Sequence, residues 1–520
     1  MTKTMAVMAP LVVGDPAGLD SEASRREWKK FDEQLAMAKR LGATAVSTDV
    51  WWGLVWKIDG QYDWSYYDEI SDHIINAELN WVAILSTHAC GGNVGDTVNV
   101  PVPVPEQIWT KLSSLVDSRD PNAGKYVSEL GTYSSESIEC WATHLVLDDF
   151  RAFYAGFQEH FANKAEYIVE LNISLGPSGE LRFPSYDKDN GWPGRGTLQC
   201  YSQLAAQFFL DYVMALYGSR EKVRQAWGRL DNIETPRDVD AFFAHGDHIN
   251  TQYGRDFFDW YSNSLLNHGA MVMQAAMDVF WEAGAAFADI DLGAKVPGVH
   301  WRIGHWQGDQ IVFSDRLAEL DAGLIRTSDW NSSSDASHGY SHIIALFRQL
   351  QTSPQSREIG CVRELQSAQP RPRVVLHFTC LEMADGEHES LAYQLVRWVG
   401  EEAVRQGVEI KGENALNYTL YEPEAWVRLR LALALYSGLT ILRITDVVEN
   451  DVARREFEAT CKSLTQNRPL QLNSNVIQLQ QRCARLFPSR PTRKAPSSSI
   501  RRAAMLWRFR SSPPRSRSSG

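Results

Sequence analysis

Ala43-Thr44-Ala45-Val46-Ser47-Thr48-Asp49-Val50 is a short β-rich run that ends on an acid and runs into the pair Trp51-Trp52. The segment before it, Arg25 to Leu41, sets Trp28, Phe31, Leu35 and Ala38 on one face, and Ser24-Arg25-Arg26-Glu27 at its start has the form of a capping box. The same alternation recurs along the chain. Further strand-like runs are expected at Ala6-Val12, Trp81-Ser86, Tyr167-Ile173, Gly293-Pro297, Val374-Phe378, Val408-Lys411 and Leu439-Ile444, with helices from Gln199 to Tyr217, Asp256 to Phe280 and Glu422 to Tyr436. Strands alternating with amphipathic helices imply βα units on a parallel sheet.

Eight strands is the natural count, and nearly every one ends beside a chemically suggestive residue. Asp49 ends the second, His88 the third, Glu180 follows the fourth, His300 the fifth, Thr379 the sixth, Glu413 the seventh and Arg443 the eighth. A doubly wound open sheet gathers its site at one switch point, whereas a barrel brings all strand ends to one face. The fold class expected is α/β, a (β/α)8 TIM barrel: a single catalytic domain, residues 1–475, with long βα loops.

The bulk numbers agree with one large core, at 520 residues and 44% hydrophobic. The net charge of -12 hides an asymmetry, because no acid lies beyond Arg482 while many of the 52 bases do. The body is therefore strongly acidic, which argues against a nucleic-acid-binding face. Residues 476–520 form a basic Pro/Ser/Arg-rich tail, expected to be disordered, which reads as a solvated extension or as an arm for anionic surfaces. The seven cysteines are scattered without a CxxC pattern, so neither a disulfide scaffold nor a zinc site is expected. The apolar stretch Met5 to Val13 reads as a strand, with a signal peptide as the alternative, and a cytoplasmic location follows from the strand reading, with secretion as the other outcome. The apolar run from Leu429 to Ile444 is broken by Arg430 and Arg443, so no membrane span is expected.

Two carboxylates can divide labour across a glycosidic bond if their surroundings push their proton affinities apart. Glu180, in Gly176-Pro177-Ser178-Gly179-Glu180-Leu181-Arg182-Phe183-Pro184-Ser185-Tyr186, and Glu413, in Gly412-Glu413-Asn414-Ala415-Leu416, are the candidates; alone, each would pass for a loop acid. The loop Gly91-Gly92-Asn93-Val94-Gly95-Asp96 is glycine-rich enough to act as a lid that brings Asp96 down on a hydroxyl, and it lacks the lysine and spacing of a phosphate cradle. Asp49 beside Trp51-Trp52 and His300 beside Trp301 suit a pyranose ring, although tryptophan is also an ordinary core residue.

His88-Ala89-Cys90-Gly91-Gly92-Asn93-Val94-Gly95-Asp96 and the Glu180 segment match, almost letter for letter, the two signature motifs of β-amylases, glycoside hydrolase family fourteen, and the resemblance runs from about Met8 to about Leu464. It implies an inverting exo-hydrolase that removes β-maltose from the non-reducing ends of α-1,4-glucans, with Glu180 as proton donor and Glu413 as the base that activates water. It further implies substrate-binding roles for Asp49, His88, Asp96, Lys295, His300, Thr379, Asn414, Ala415 and Arg443. An inverting pair stands roughly 6.5–9.5 Å apart to admit the water.

No cofactor and no metal ligand are expected. Some bacterial relatives carry calcium after the paired tryptophans, but Trp56, Ile58, Asp59 and Gly60 make a poor oxygen cage here. The expected partner is an α-1,4-glucan, starch or maltooligosaccharide, with no nucleic acid and no membrane, and the protein is expected to be a monomer. The alternatives are a catalytically silent glucan-binding or regulatory relative, and a barrel hydrolase for another glycan.

Overall fold

The computed structural model describes residues 3–90, 101–186, 196–228, 232–330, 337–352 and 372–465. Eight strands close into a barrel: β1 (Thr4–Met8), β2 (Ala45–Trp51), β3 (Asn80–Ser86), β4 (Ile168–Ile173), β5 (Asp291–Val296), β6 (Val374–Phe378), β7 (Glu409–Glu413) and β8 (Gly438–Ile441). Each pairs in parallel with its sequence neighbours, and β8 returns to β1 through registers such as Val7 opposite Ile441. All eight expected strands are present. The first stops at Met8 rather than Val12, since Pro10 has no N–H to give a ladder.

The outer ring is α1 (Glu22–Leu41), α2 (Ser65–Asn76), α3 (Thr143–Phe161), α4 (Gln252–Phe280), α5 (Ser341–Gln351), α6 (Ala392–Gln406), α7 (Pro423–Ala432) and α8 (Asp451–Thr465). The α1 face formed by Trp28, Phe31, Leu35 and Ala38 is buried as its periodicity requires. Its cap is not the expected one. Ser21 caps the helix by accepting from the Ser24 N–H, while Ser24 lies inside the helix with its hydroxyl donated to the Gly18 carbonyl. The helix ends at Gly42, whose φ of 107° is left-handed, and a side chain there would strike Cys461.

Three antiparallel hairpins, absent from the expected eight strands, decorate the βα loops: Lys125–Val127 with Tyr133–Ile138, Gly304–Gln307 with Gln310–Phe313, and Asp385–Gly386 with Ser390–Leu391. Their strands are short, so no long apolar run marks them. They raise the walls around the C-terminal ends of the barrel strands, where barrel sites form.

The interior below that rim is filled by charge as well as by apolar side chains. Glu170 on β4 takes hydrogen bonds from Lys411 on β7 and Asn172 (3.0 Å), and meets His377 on β6 at 2.5 Å. Because β4 and β7 are not neighbours, these contacts cross the barrel. Gly293 makes room for them, as a Cβ there would lie 2.5 Å from Asn172 Oδ1 and 2.7 Å from Glu170 Oε1. Burial opposes the Glu170 charge, but Lys411 and His377 outweigh it and hold the carboxyl well below the usual carboxylate range.

The lid residues 91–96, including Asp96, and the basic tail 476–520 lie outside the described residues. Among the described residues no disulfide forms and no helix is long and apolar enough to cross a membrane.

Candidate active site

Past β4 the chain turns through Gly176-Pro177-Ser178-Gly179, with Ser178 at φ 55° and Gly179 at φ 78°. The Leu175 N–H donates to the Gly179 carbonyl (3.1 Å), and the Glu136 carboxylate accepts from both the Ser178 N–H (2.8 Å) and its hydroxyl (3.2 Å). A non-glycine residue at φ near 55° needs such support. The turn delivers Glu180 into a bridge with Lys295 at the end of β5, where the Leu181 N–H donates to the Lys295 carbonyl (2.8 Å).

The Glu180 carboxylate accepts from Arg182 Nε at 2.9 Å and from the Tyr186 hydroxyl at 3.3 Å. Arg182 is fully buried, with its guanidinium 4.2 Å over the Tyr186 ring, and Tyr186 meets Trp301 edge-on at 4.7 Å. Burial raises the Glu180 carboxyl above the usual carboxylate range; Arg182 and Lys295 pull it down, and Glu413 adds to the rise. The two glutamates therefore feel each other's charge.

Glu413 closes β7 and is 4% exposed. Its carboxylate accepts from Lys295 Nζ at 2.9 Å, so the lysine whose backbone carries the Glu180 segment also holds the second acid. Asp49 joins the cluster from β2: it accepts from the Ser86 hydroxyl at 2.7 Å, and burial raises it while Lys295, Ser86 and Arg443 lower it. Arg443, just past β8, also reaches the Met8 sulfur.

His88 lies beneath the Glu180 turn, bonded to Ser174 Oγ at 2.9 Å and edge-on to Trp51. Burial, with the nearby Lys295 and Arg182 charges, pushes its imidazole down to about 3, so it is neutral. Burial likewise pushes His300 down to about 4, and its ring bonds Ser390 Oγ at 2.7 Å. Thr379 accepts from the Gly298 N–H at 2.8 Å, tying the loop after β6 to the loop after β5. Asn414 is fully buried; its amide donates to the Leu442 carbonyl (3.1 Å) and accepts from the Leu442 N–H (2.8 Å), so it fastens the end of β8. Ala415 is exposed, with its N–H given to Glu382.

Several contributors do not stand out in the sequence. Arg182 and Tyr186 lie inside the Glu180 motif, and the two-residue spacing from Glu180 to Arg182 on extended backbone is the signal that could have found the arginine. Glu382, fully buried, accepts from the Ala415 N–H (3.0 Å) and the Leu416 N–H (2.8 Å), and burial pushes its carboxyl up to about 7. The tryptophan pair is core rather than sugar platform. Trp52 is buried in a stack with Trp56, and Trp51 donates its ring N–H to the Leu11 carbonyl.

The segment after those tryptophans does not fit calcium. Asp59 accepts from the Gln61 N–H, and Lys57 Nζ stands 3.5 Å from Asp63, an ammonium that opposes a second cation. Among the described residues no group of three or more His, Cys, Asp or Glu is placed to hold a metal ion.

Residues 7–352 and 357–464 match the model for glycosyl hydrolase family 14. The chain is 34% identical over 439 residues to the thermophilic β-amylase of Thermoanaerobacterium thermosulfurigenes, covering 82% of this chain and 69% of that protein. It is 33% identical over 441 residues to the β-amylase of Cytobacillus firmus, covering 82% of each. Among solved structures it is similar to the catalytic domain of the β-amylase from Paenibacillus polymyxa, with a TM-score of 0.70 at 30% identity, covering 90% of this chain and 99% of that one. The closed parallel barrel carries at its mouth one acid paired with Lys295 and a second that feels the same lysine's charge, the chain is matched along nearly its whole described length by a family of glycoside hydrolases, and it belongs to glycosyl hydrolase family 14.

Proposed function

We propose that this protein is a starch-degrading exo-hydrolase that cleaves α-1,4-glucosidic bonds with inversion and releases β-maltose from non-reducing ends. Glu180 is the proton donor. Burial keeps its carboxyl protonated further up the pH scale than an ordinary glutamate, as an acid delivering a proton to a leaving oxygen must be. Glu413 is the base, taking a proton from the water that attacks the anomeric carbon on the opposite ring face. The bond from that water to carbon forms as the glycosidic C–O bond breaks, and the Glu180 proton goes to the departing 4-hydroxyl.

Asp49, Asp96, Lys295, Arg443 and the neutral His88 and His300 bind glucose hydroxyls, and Thr379, Asn414 and Ala415 shape the pocket around the reacting sugar. Neutral imidazoles suit this work, since each offers one donor and one acceptor. Asn414 serves through the β8 backbone it holds. A glucan is the partner of this site, and no cofactor enters the chemistry.

The observation that carries this reading is the unequal setting of two acids within each other's field, one raised by burial and the other paired to Lys295. Incubation with maltoheptaose, followed by product size and anomeric configuration, tests it. Maltose appearing first as the β-anomer is expected; a first-formed α-anomer overturns inversion. Glu180→Gln and Glu413→Gln are each expected to lower turnover by roughly 10²–10⁴-fold or more while maltose still binds, and a variant that keeps substantial activity overturns its assignment.

A further inference from the structure

A second opening lies between the hairpin Lys125–Val127/Tyr133–Ile138 and the helix Gln203–Tyr217. It encloses about 100 Å³, and its polar lining includes Asp120, Asn122, Glu139, Tyr201, Ser202 and Gln203, with the Tyr133 hydroxyl. This is room for several waters or the hydroxylated edge of one sugar ring. Glu139 is 1% exposed, and its Oε2 accepts from the Ser202 hydroxyl at 2.5 Å. The carboxyl lines the opening. At the mouth the Tyr133 ring is 55% exposed, and Val116, Val127 and Leu204 add apolar wall.

The chemistry selects the ligand. Burial, with a smaller contribution from Asp120, pushes Glu139 up to about 8, so near neutrality it holds a proton to give as well as a lone pair to receive. Only two carboxyls line the opening, and Lys125 Nζ stands against Asn122 Oδ1 at 3.0 Å, which disfavours a cation. Donor–acceptor groups on one side and an exposed aromatic face on the other match a neutral molecule with hydroxyls around an apolar ring.

We propose that this pocket is a second glucan site, holding a glucosyl unit of a chain apart from the catalytic glutamates. Its choice of glucan rests on the function proposed above. The hairpin that carries Tyr133 also carries Glu136, which holds Ser178 of the catalytic turn, so a chain held here is held close to the mouth of the barrel. No bond is made or broken in the pocket.

The test is calorimetric titration of the Glu180→Gln protein with maltotriose, repeated with Tyr133→Ala and, separately, Leu204→Trp added. One binding site fewer is expected in each added variant; unchanged stoichiometry and affinities in both overturn the proposal. Tyr133 is exposed, so its loss leaves the fold intact, and Leu204→Trp blocks the opening by volume. In the otherwise wild-type chain, Tyr133→Ala is expected to raise KM on soluble starch roughly threefold or more and to leave kcat/KM on maltotetraose unchanged. An equal change on both substrates would mean the ring belongs to the catalytic pocket, and the proposal fails. Retention of activity by Glu180→Gln would sink the catalytic assignment alone, because the number of maltotriose sites decides the second pocket independently of turnover.

Discussion

Glu180 sits under opposed influences: burial raises its affinity for a proton, the Arg182 guanidinium 2.9 Å away lowers it, and Glu413 raises it again. The proposed acid works only while protonated, so activity falls on the alkaline side as pH passes its pKa. Replacing Arg182 with Met removes the largest lowering influence, and the alkaline limb of kcat/KM against pH is expected to move to higher pH. An unmoved limb would mean that another group sets it. Both glutamates are legible in the sequence through the motifs around them, Gly179-Glu180-Leu181-Arg182 past β4 and Gly412-Glu413-Asn414 at the end of β7, since alone each would pass for a loop acid. Arg182 is marked only by its two-residue spacing from Glu180, and Tyr186 is not marked at all, since its reach to Glu180 depends on a turn whose shape a string of letters does not disclose.

Two neighbouring connections, those after β6 and β7, are joined by one buried carboxylate. Glu382 accepts from the N–H groups of Ala415 and Leu416, directly after Glu413, while the Leu381 N–H donates to the Glu413 carbonyl at 3.2 Å. The Gln variant keeps the size but offers one acceptor oxygen in place of two. Glu382→Gln is expected to cost about 1–3 kcal/mol of stability and to lower kcat more than it changes KM, read by urea unfolding and steady-state kinetics. A purely structural role would leave kcat intact at temperatures where the variant is folded. The barrel strands and three of the ring helices, α1, α4 and α7, could be read because their apolar runs and period-3.6 patterns are long. The wall hairpins could not, because Tyr133–Ile138 reads Tyr-Ser-Ser-Glu-Ser-Ile and draws its order from the barrel beneath. Ser24 misled for a related reason: Ser21 competes for the cap three residues earlier, and Ser24 is fastened to Gly18.

Across the whole molecule, buried acids make stability depend on pH in two senses. Glu139 and Glu382 are raised to about 8 and about 7 from an ordinary value of 4.5. A raised acid contributes stability that is complete below its unfolded pKa and is lost as pH climbs through its folded one. The gap in melting temperature between the native chain and Glu139→Gln is therefore expected to shift in the variant's favour as pH rises from about 5 to about 9, as scanning calorimetry would show; a constant gap would contradict the assignment. Glu170 runs the other way, because its lowered carboxyl contributes stability above pH 4.5 that is lost on acidification. Lys411→Met leaves that carboxylate short of its cation and is expected to cost about 3–5 kcal/mol near neutrality, measured by denaturant unfolding.

The crossing contacts of Glu170 with His377 and Lys411 also give the barrel a sealed floor. A polymer end that enters has no exit behind it, so the traffic is one-way in and one-way back. On the proposed function, a released disaccharide leaves by the door through which its parent came.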